Sequence, residues 1–255
     1  MRNHFNSFAR AVSFLTVIPM PPSSIETVNA EDFARSFGFF PLVGLLIGFF
    51  CSLFYFLSHR WMPNLLAAVC ITALLTLLTR GLHLDGLADL TDGVGGGYTA
   101  ERRLQIMKDS RIGAFGSLAL TLAILFKVSA LHALMEANHW QPILLVPVFS
   151  RLSMVLTAYK SPYARAEGGL AKSFVEPMTL QQPLTALLFS GAAAVVASPP
   201  WILAYLAGAV CCSFSIRALS CKWLGGVTGD VLGAANEVAE ITLLSLFACA
   251  TRINW

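Results

Sequence analysis

Long apolar runs with few charges dominate the chain. Residues 36–58 and 61–79 carry no formal charge, and residues 113–135 and 142–159 carry one each. A helix of about 20 apolar residues is long enough to cross a bilayer. These four runs are therefore predicted to be transmembrane helices.

The C-terminal part of the chain continues this pattern. Residues 177–216 form a run of 40 residues without a charge, with Pro199 and Pro200 near its middle. Because consecutive prolines remove helical hydrogen-bond donors, this run is predicted to form two spans joined by a tight turn. Residues 231–251 supply the last span. The prediction is an all-α polytopic membrane protein with about seven transmembrane helices, preceded by an interfacial or re-entrant helix at residues 5–18.

The composition supports a membrane protein. Hydrophobic residues make up 56% of the chain and charged residues only 12%, whereas an ordinary globular protein has about 25% charged residues. This excludes a soluble enzyme and a disordered chain, and a net charge of +3 is too small for a nucleic-acid binder. We expect residues 1–255 to form a single membrane-embedded catalytic domain.

The basic residues predict the orientation. With these spans, 13 of the 17 Lys and Arg residues lie on the side of the N-terminus and two lie on the other side. Lys127 and Arg151 fall within spans. By the positive-inside rule, the N-terminus and the charged loops face the cytoplasm, and the protein is expected in the cytoplasmic (inner) membrane.

Three aspartates follow the second span at helical spacing. Asp85, Asp89 and Asp92 are placed i, i+4 and i+7, and on a helix they share a face about 60° wide. That helix is predicted to be a cytoplasmic extension of the second span. Stacked carboxylates suit a hard divalent cation such as Mg²⁺, so the three aspartates are predicted metal ligands. The alternative is a solvated helix end.

A basic segment follows the aspartates. It contains Arg103, Lys108, Ser110 and Arg111, which are candidate substrate-binding residues, together with the carboxylate of Asp109. A diphosphate needs both a metal ion and Arg or Lys to neutralise it. Simple anchoring at the cytoplasmic surface is the alternative. The glycines at 93–97 allow either close approach of an anion or a flexible turn.

A second acidic cluster lies in the last span. Asp230 and Glu237 are seven residues apart on one stripe, and Glu240 is nearby. Acidic residues inside a membrane are costly unless they are paired or face a polar cavity. We predict a polar cavity open to the cytoplasm, with Lys127 and Arg151 as the available cations. A purely structural ion pair is the alternative.

Two further features concern residues near these clusters. Arg165 lies in a loop, residues 159–176, that either clamps a nucleotide or is merely basic. His83 projects away from Asp85 on a helix and is predicted to be a structural hydrogen-bonding residue.

Together these motifs resemble the cobalamin synthase (adenosylcobinamide-GDP ribazoletransferase) family. The central string is G-L-H-L-D-G-L-A-D-x-x-D-G at 81–93, followed by R-x-x-x-M-K-D-S-R-I-G at 103–113. Shorter matches are spread from about residue 8 to about residue 245: F-L-T-x-x-P at 14–19, F-P-L-x-G at 40–44, S-R at 150–151, Y-A-R at 163–165 with Gly168, and G-x-T-G-D-x-x-G-A-x-x-E-x-x-E at 226–240.

The resemblance implies a Mg²⁺-dependent transfer. A hydroxyl of α-ribazole or its 5′-phosphate attacks the diphosphate of adenosylcobinamide-GDP, GMP leaves, and the nucleotide loop of cobalamin closes. In this scheme the acids with catalytic roles are Asp85, Asp89, Asp92, Asp109, Asp230 and Glu237. The substrate-binding set is Arg103, Lys108, Ser110, Arg111, Arg151, Arg165 and Glu240. The proton acceptor is left open among Asp109, Asp230 and Glu237.

Two other functions share part of this pattern. A CDP-alcohol phosphotransferase also clusters aspartates at helix ends, but its D-x-x-D-G-x-x-A-R pattern is broken here, where Asp89 follows Asp85-Gly-Leu-Ala. An ion-coupled transporter would use the charges inside the spans but leaves the dense Asp/Arg segment unexplained. The expected partners are the small-molecule substrates and membrane lipid, with no nucleic acid, and homo-oligomerisation is left open.

Overall fold

The computed structural model describes residues 2–21, 30–165, 167–169 and 171–253, which form twelve α-helices and no strand. The first six helices are α1 (Arg2–Leu15), α2 (Ala30–Phe37), α3 (Phe40–Ser58), α4 (Asn64–Leu78), α5 (Leu82–Gly96) and α6 (Ala100–Ile106). The remaining six are α7 (Ala114–Glu136), α8 (Gln141–Ala158), α9 (Lys172–Val175), α10 (Gln181–Ala197), α11 (Ile202–Leu224) and α12 (Gly229–Ala250).

The helices confirm a polytopic all-α membrane protein. Five are long and apolar enough to cross a membrane, namely α3, α7, α8, α12, and α11 with the short 3-10 turn that precedes it. A sixth span results if α4 and α5 count as one bent crossing. At 17 residues, α10 is shorter than each of the five spanning helices. The described residues therefore support five or six spans rather than seven.

Two local features predicted from the sequence are present, namely a break at the double proline and an N-terminal helix. The double proline ends α10, and the 3-10 turn Pro199–Trp201 leads into α11. The N-terminal segment forms α1, which buries Ala9, Val12 and Leu15 against the other helices. Whether α1 lies at the membrane interface stays a prediction.

The acidic helix α5 is not an extension of the second span, and this prediction was wrong. The axes of α4 and α5 differ by 87°. The chain turns at Arg80 and Gly81, whose φ angles of 55° and 69° are both left-handed. Because a left-handed residue cannot continue a right-handed helix, α5 starts afresh in a new direction.

Helix α8 lies at the centre of the bundle, between α3 and α12, with α10 and α11 also in contact. Two glycines allow α3 to approach it closely. A Cβ at Gly44 would lie 2.2 Å from the Pro147 carbonyl oxygen, and one at Gly48 would lie 2.1 Å from that of Leu144. Small residues at such crossings are typical of membrane helix pairs. Helix α12 in turn packs against α5 and α7, which brings the two acidic clusters together.

Candidate active site

Two aspartates of the first acidic cluster share one cavity of about 880 Å³ with the end of the basic segment. Asp85 is exposed and Asp89 is half-buried, one turn further along α5. The cavity is lined by both aspartates and by Arg80, Lys108, Asp109, Ser110 and Arg111. The predicted juxtaposition of carboxylates and cations is therefore present.

Asp92 differs from the other two aspartates of α5. Its carboxylate accepts hydrogen bonds from the backbone N–H groups of Gly113 (2.7 Å) and Gly116 (2.8 Å). These groups lie in the first turn of α7, where helical N–H groups have no partner within the helix. Asp92 is buried and caps α7, so both of its oxygens are already in use.

The three aspartates of α5 do not form one ligand group. Among the described residues, no cluster of three or more His, Cys, Asp or Glu side chains is arranged to hold a metal ion. Asp89 instead lies in the electrostatic field of Asp230 and Asp85, while Arg165 and Asp92 act on it less strongly. The acid that joins Asp85 and Asp89 is therefore Asp230, from the second cluster.

The close approach of α5 and α12 places Asp230 at this site. A Cβ on Gly86 would lie 2.7 Å from the Asp230 carbonyl oxygen, so only glycine fits between the two backbones. Thr228 caps α12 by accepting a hydrogen bond from the N–H of Val231, and its hydroxyl also bonds the Asp230 carboxylate. Asp85 and Asp230 both line a second, smaller cavity of about 170 Å³.

Arg165 reaches Asp230 across the loop between α8 and α9. Its Nη2 atom lies 2.7 Å from Asp230 Oδ2. The loop is held by two backbone hydrogen bonds, from the N–H of Val227 to the Pro162 carbonyl (2.8 Å) and from the N–H of Ala164 to the Val227 carbonyl (2.9 Å). These contacts fix the basic loop against the start of α12.

The other predicted cations have different environments. Arg103 donates to the carbonyl oxygens of Gly97 (2.9 Å) and Trp223 (3.0 Å), so it ties α6 to α5 and α11. Lys108 forms an ion pair with Glu167, which holds the pKa of that carboxyl below its usual value. Both members of this pair are accessible to solvent, so Lys108 remains available to a ligand.

Asp109 is tied to its neighbour Arg111. The Arg111 guanidinium donates to both carboxylate oxygens, at 2.6 Å for the shortest contact. This hydrogen-bonded pairing lowers the pKa of Asp109 to about 2. Such an acid holds a proton poorly, which makes it a weak general base.

The charges inside the spans form a buried network of ion pairs. Lys127 Nζ lies 2.6 Å from both Glu237 and Glu240, and Arg151 pairs with Glu240. All four side chains are at most 4% exposed. Burial of the two acids therefore requires the two cations, which favours the structural alternative for this cluster. Arg151, Glu237 and Glu240 are thus separated from the cavity where they were predicted to act.

The glycines at 93–97 serve packing. A Cβ at Gly93 would meet the Met107 side chain at 2.6 Å, one at Gly95 would meet the Phe115 ring at 2.5 Å, and one at Gly97 would meet Arg103. The run forms the end of α5 and lets α6 and α7 approach it.

Three residues beyond the predicted site set matter for this region. Thr228 positions Asp230, and Asn236 donates from Nδ2 to Glu240 (3.2 Å) within the buried network. His83 is buried, and both of its ring nitrogens lack a hydrogen-bond partner. Asn236 could have been identified from the sequence, because an asparagine inside an apolar span indicates a buried polar contact. The prediction that His83 is a structural hydrogen-bonding residue was wrong, because neither of its ring nitrogens has a partner among the described residues.

Comparison with known proteins identifies the family. The model of the family described as cobalamin-5-phosphate synthase matches residues 7–248. The chain is 53% identical to a protein of Syntrophobacter fumaroxidans named adenosylcobinamide-GDP ribazoletransferase, over 96% of this chain and 99% of that protein. It is 41% identical to a protein of the same name from Chlorobaculum tepidum, over 93% of each. No solved structure matches the chain. The chain therefore belongs to the cobalamin-5-phosphate synthase family.

Proposed function

We propose that this chain is an adenosylcobinamide-GDP ribazoletransferase that works at the cytoplasmic face of the membrane. The observation that carries the proposal is the shared cavity, in which Asp85 and Asp89 lie with Lys108 and Arg111. Carboxylates and cations around one cavity suit a metal-bound diphosphate. The family and the names of the relatives agree with this chemistry.

Mg²⁺ is the cofactor that this donor set would accept. Hard cations prefer carboxylate oxygens, and Mg²⁺ is commonly held by one or two carboxylates with substrate phosphates and water. Asp85 and Asp89 are the residues that would hold it, since Asp92 already caps α7. When bound, the ion would supply charge neutralisation at the diphosphate. The proposal therefore keeps two of the three aspartates that the sequence predicted as metal ligands.

The cations at the cavity would bind the diphosphate. Lys108 and Arg111 are accessible to solvent and line the cavity, and Arg165 is paired with Asp230. Ser110 lies between the first two and can donate from its hydroxyl. Arg103 and Arg151 support the fold instead, because their guanidinium groups are used by backbone carbonyls and by Glu240.

Asp230 is the proposed proton acceptor. The oxygen of the acceptor hydroxyl forms a bond to the phosphorus on the cobinamide side of the diphosphate, the bond from that phosphorus to the GMP oxygen breaks, and the hydroxyl proton moves to Asp230. Arg165 and Thr228 orient this carboxylate. Asp109 is too weak a base, and Glu237 is sealed away with Lys127.

The experiment is a GMP-release assay with protein purified in detergent, supplied with Mg²⁺, adenosylcobinamide-GDP and α-ribazole. Asp85→Asn and Asp89→Asn should each lower the turnover by about a hundredfold, since a metal ion contributes several kcal/mol to such a transition state. Glu31 is an exposed acid on α2, distant in sequence from both aspartates. Glu31→Gln is the matched control and should keep normal turnover. Near-normal turnover of either aspartate variant would end the metal-ligand proposal. Substrate-dependent ion flux without GMP would favour a transporter.

A further inference from the structure

We propose that the smaller cavity is the subsite for the flat aromatic base of the acceptor nucleoside. This inference rests on the proposed function, because it assigns the part of that acceptor which the acidic site does not explain. The cavity measures about 170 Å³. Since one water molecule needs about 10–15 Å³ of such space, the cavity has room for a two-ring base.

The walls of the cavity are apolar and aromatic. They include Phe14, Phe37, Phe174, Met154 and Leu232, contributed by five different helices. The Phe174 ring lies 5.0 Å from that of Phe14 and 5.5 Å from that of Phe37, measured between centroids. Aromatic side chains favour a flat ring as their neighbour. A phosphate group would lose its hydration here without gaining a cation among these walls.

His83 is a lining residue of the cavity, and its ring also lies in the electrostatic field of Arg151, Glu240 and Lys127. It is 1% exposed, and neither ring nitrogen has a partner. Buried polar atoms are nearly always hydrogen-bonded, so an unpartnered pair calls for an explanation. A neutral imidazole donates from one nitrogen and accepts at the other. A heterocycle with a free ring nitrogen would accept the hydrogen bond that His83 can donate.

The position of the cavity agrees with this assignment. Asp85 lines both the small cavity and the large one that holds the basic segment, and Asp230 lines the small one. A base held among the phenylalanines would leave its sugar hydroxyls near these two carboxylates. The acceptor hydroxyl would then face the diphosphate, with the proposed proton acceptor beside it.

Two substitutions test the subsite. Ala171→Leu fills the cavity from its wall, where Ala171 is 9% exposed. His83→Phe removes the hydrogen-bond donor but keeps a ring. We expect each variant to raise the KM for α-ribazole on the order of tenfold, because a lost hydrogen bond or a blocked pocket commonly costs that much binding. The KM for adenosylcobinamide-GDP should stay unchanged.

The matched control is Ala137→Leu, which makes the same change at the far end of α7, in another cavity. It should leave both KM values unchanged. Direct binding of α-ribazole and of its free base, measured by calorimetry with the detergent-purified protein, provides a second readout. The binding of both should weaken in Ala171→Leu, and His83→Gln should recover part of what His83→Phe loses.

The outcomes separate the two proposals. If the unmodified protein releases no GMP, the proposed function fails. If it releases GMP but Ala171→Leu and His83→Phe leave the α-ribazole KM and binding unchanged, only the subsite is wrong. A rise in the KM for adenosylcobinamide-GDP instead would show that the cavity holds guanine, which also overturns the subsite.

Discussion

The carboxylates of this chain share a residue type but differ in what they contact. Asp85 and Asp89 face a cavity, Asp92 caps a helix, and Asp230 pairs with Arg165. Each role follows from the atoms within hydrogen-bond reach of the carboxylate. Helical spacing brought three of these residues onto one helix, but the partner of each decided its chemistry.

Asp92→Ala should destabilise the protein, because two N–H groups at the start of α7 would lose their acceptor. A lost cap typically costs about 1–2 kcal/mol. Thermal or denaturant unfolding in detergent measures this loss. Asp85→Ala is the control, since that side chain is exposed and should leave the stability nearly unchanged. Equal stability of the two variants would contradict the capping role.

The pH dependence of activity should be insensitive to Asp109. Its pKa is lowered to about 2 by Arg111, from a usual value near 4, so the folded protein keeps it ionised at every pH above about 4. Any stabilisation from this group is present at neutral pH and is lost as the pH falls towards 2. Asp109→Asn should therefore keep the shape of the pH–rate profile between pH 5 and 8. A lost acid limb in GMP release would identify Asp109 as the base after all.

At the scale of elements, the contact between α5 and α12 builds the site. Helix α5 brings Asp85 and Asp89, α12 brings Asp230, and Gly86 lets the two backbones approach. The acidic motif at 81–93 and the acidic motif at 226–240 are separated by most of the chain. They meet because one side of a glycine-bearing helix is flat enough to pack against the start of another.

Gly86→Ala should damage both the stability and the activity. The added Cβ would lie 2.7 Å from the Asp230 carbonyl oxygen, and overpacking of this kind costs about 1–3 kcal/mol. The matched control is Gly191→Ala in α10, where no atom lies within 4 Å of the added Cβ. This control should gain up to about 1 kcal/mol from its higher helix propensity. If both variants change the free energy of unfolding in the same direction, the close approach of α5 and α12 is contradicted.

At the scale of the whole molecule, the buried charges balance one another. Lys127 and Arg151 face Glu237 and Glu240, and the four residues join α7, α8 and α12. The separate cavity on the same bundle is lined by acids and cations that reach solvent. The molecule therefore has two charge clusters with different roles. The buried cluster links three helices, and the other lies at a cavity that can receive a ligand.

Lys127→Met should destabilise the protein strongly, because it leaves two buried carboxylates with Arg151 alone. Breaking a buried pair from one side typically costs about 3–5 kcal/mol. The double variant Lys127→Met/Glu237→Gln should recover part of this loss, since one buried negative charge is removed with the cation. Lys172→Met, at an accessible pair with Glu176, should change the stability by less than about 1 kcal/mol. Unfolding in detergent measures all three, and a double variant no more stable than the single one would contradict the network.

The sequence by itself determined the class of the protein. Its apolar runs were long enough to require helices across a bilayer, its double proline required a turn, and its central motifs carried the family resemblance. These are local properties, since hydropathy, proline geometry and residue spacing act over one helix or less. They also placed the acids and cations of the central segment at one cavity, because those residues are close along the chain.

Only the tertiary structure decided which charged groups belong together. The left-handed turn at Gly81 directs α5 away from α4, and the packing of α5 on α12 adds Asp230 to the site. The packing of α5 on α7 turns Asp92 into a cap of α7, and the packing of α12 on α7 pairs Glu237 and Glu240 with Lys127. Burial and pairing depend on contacts between residues far apart in the chain, and the energy of a charge depends on its surroundings far more than on its spacing.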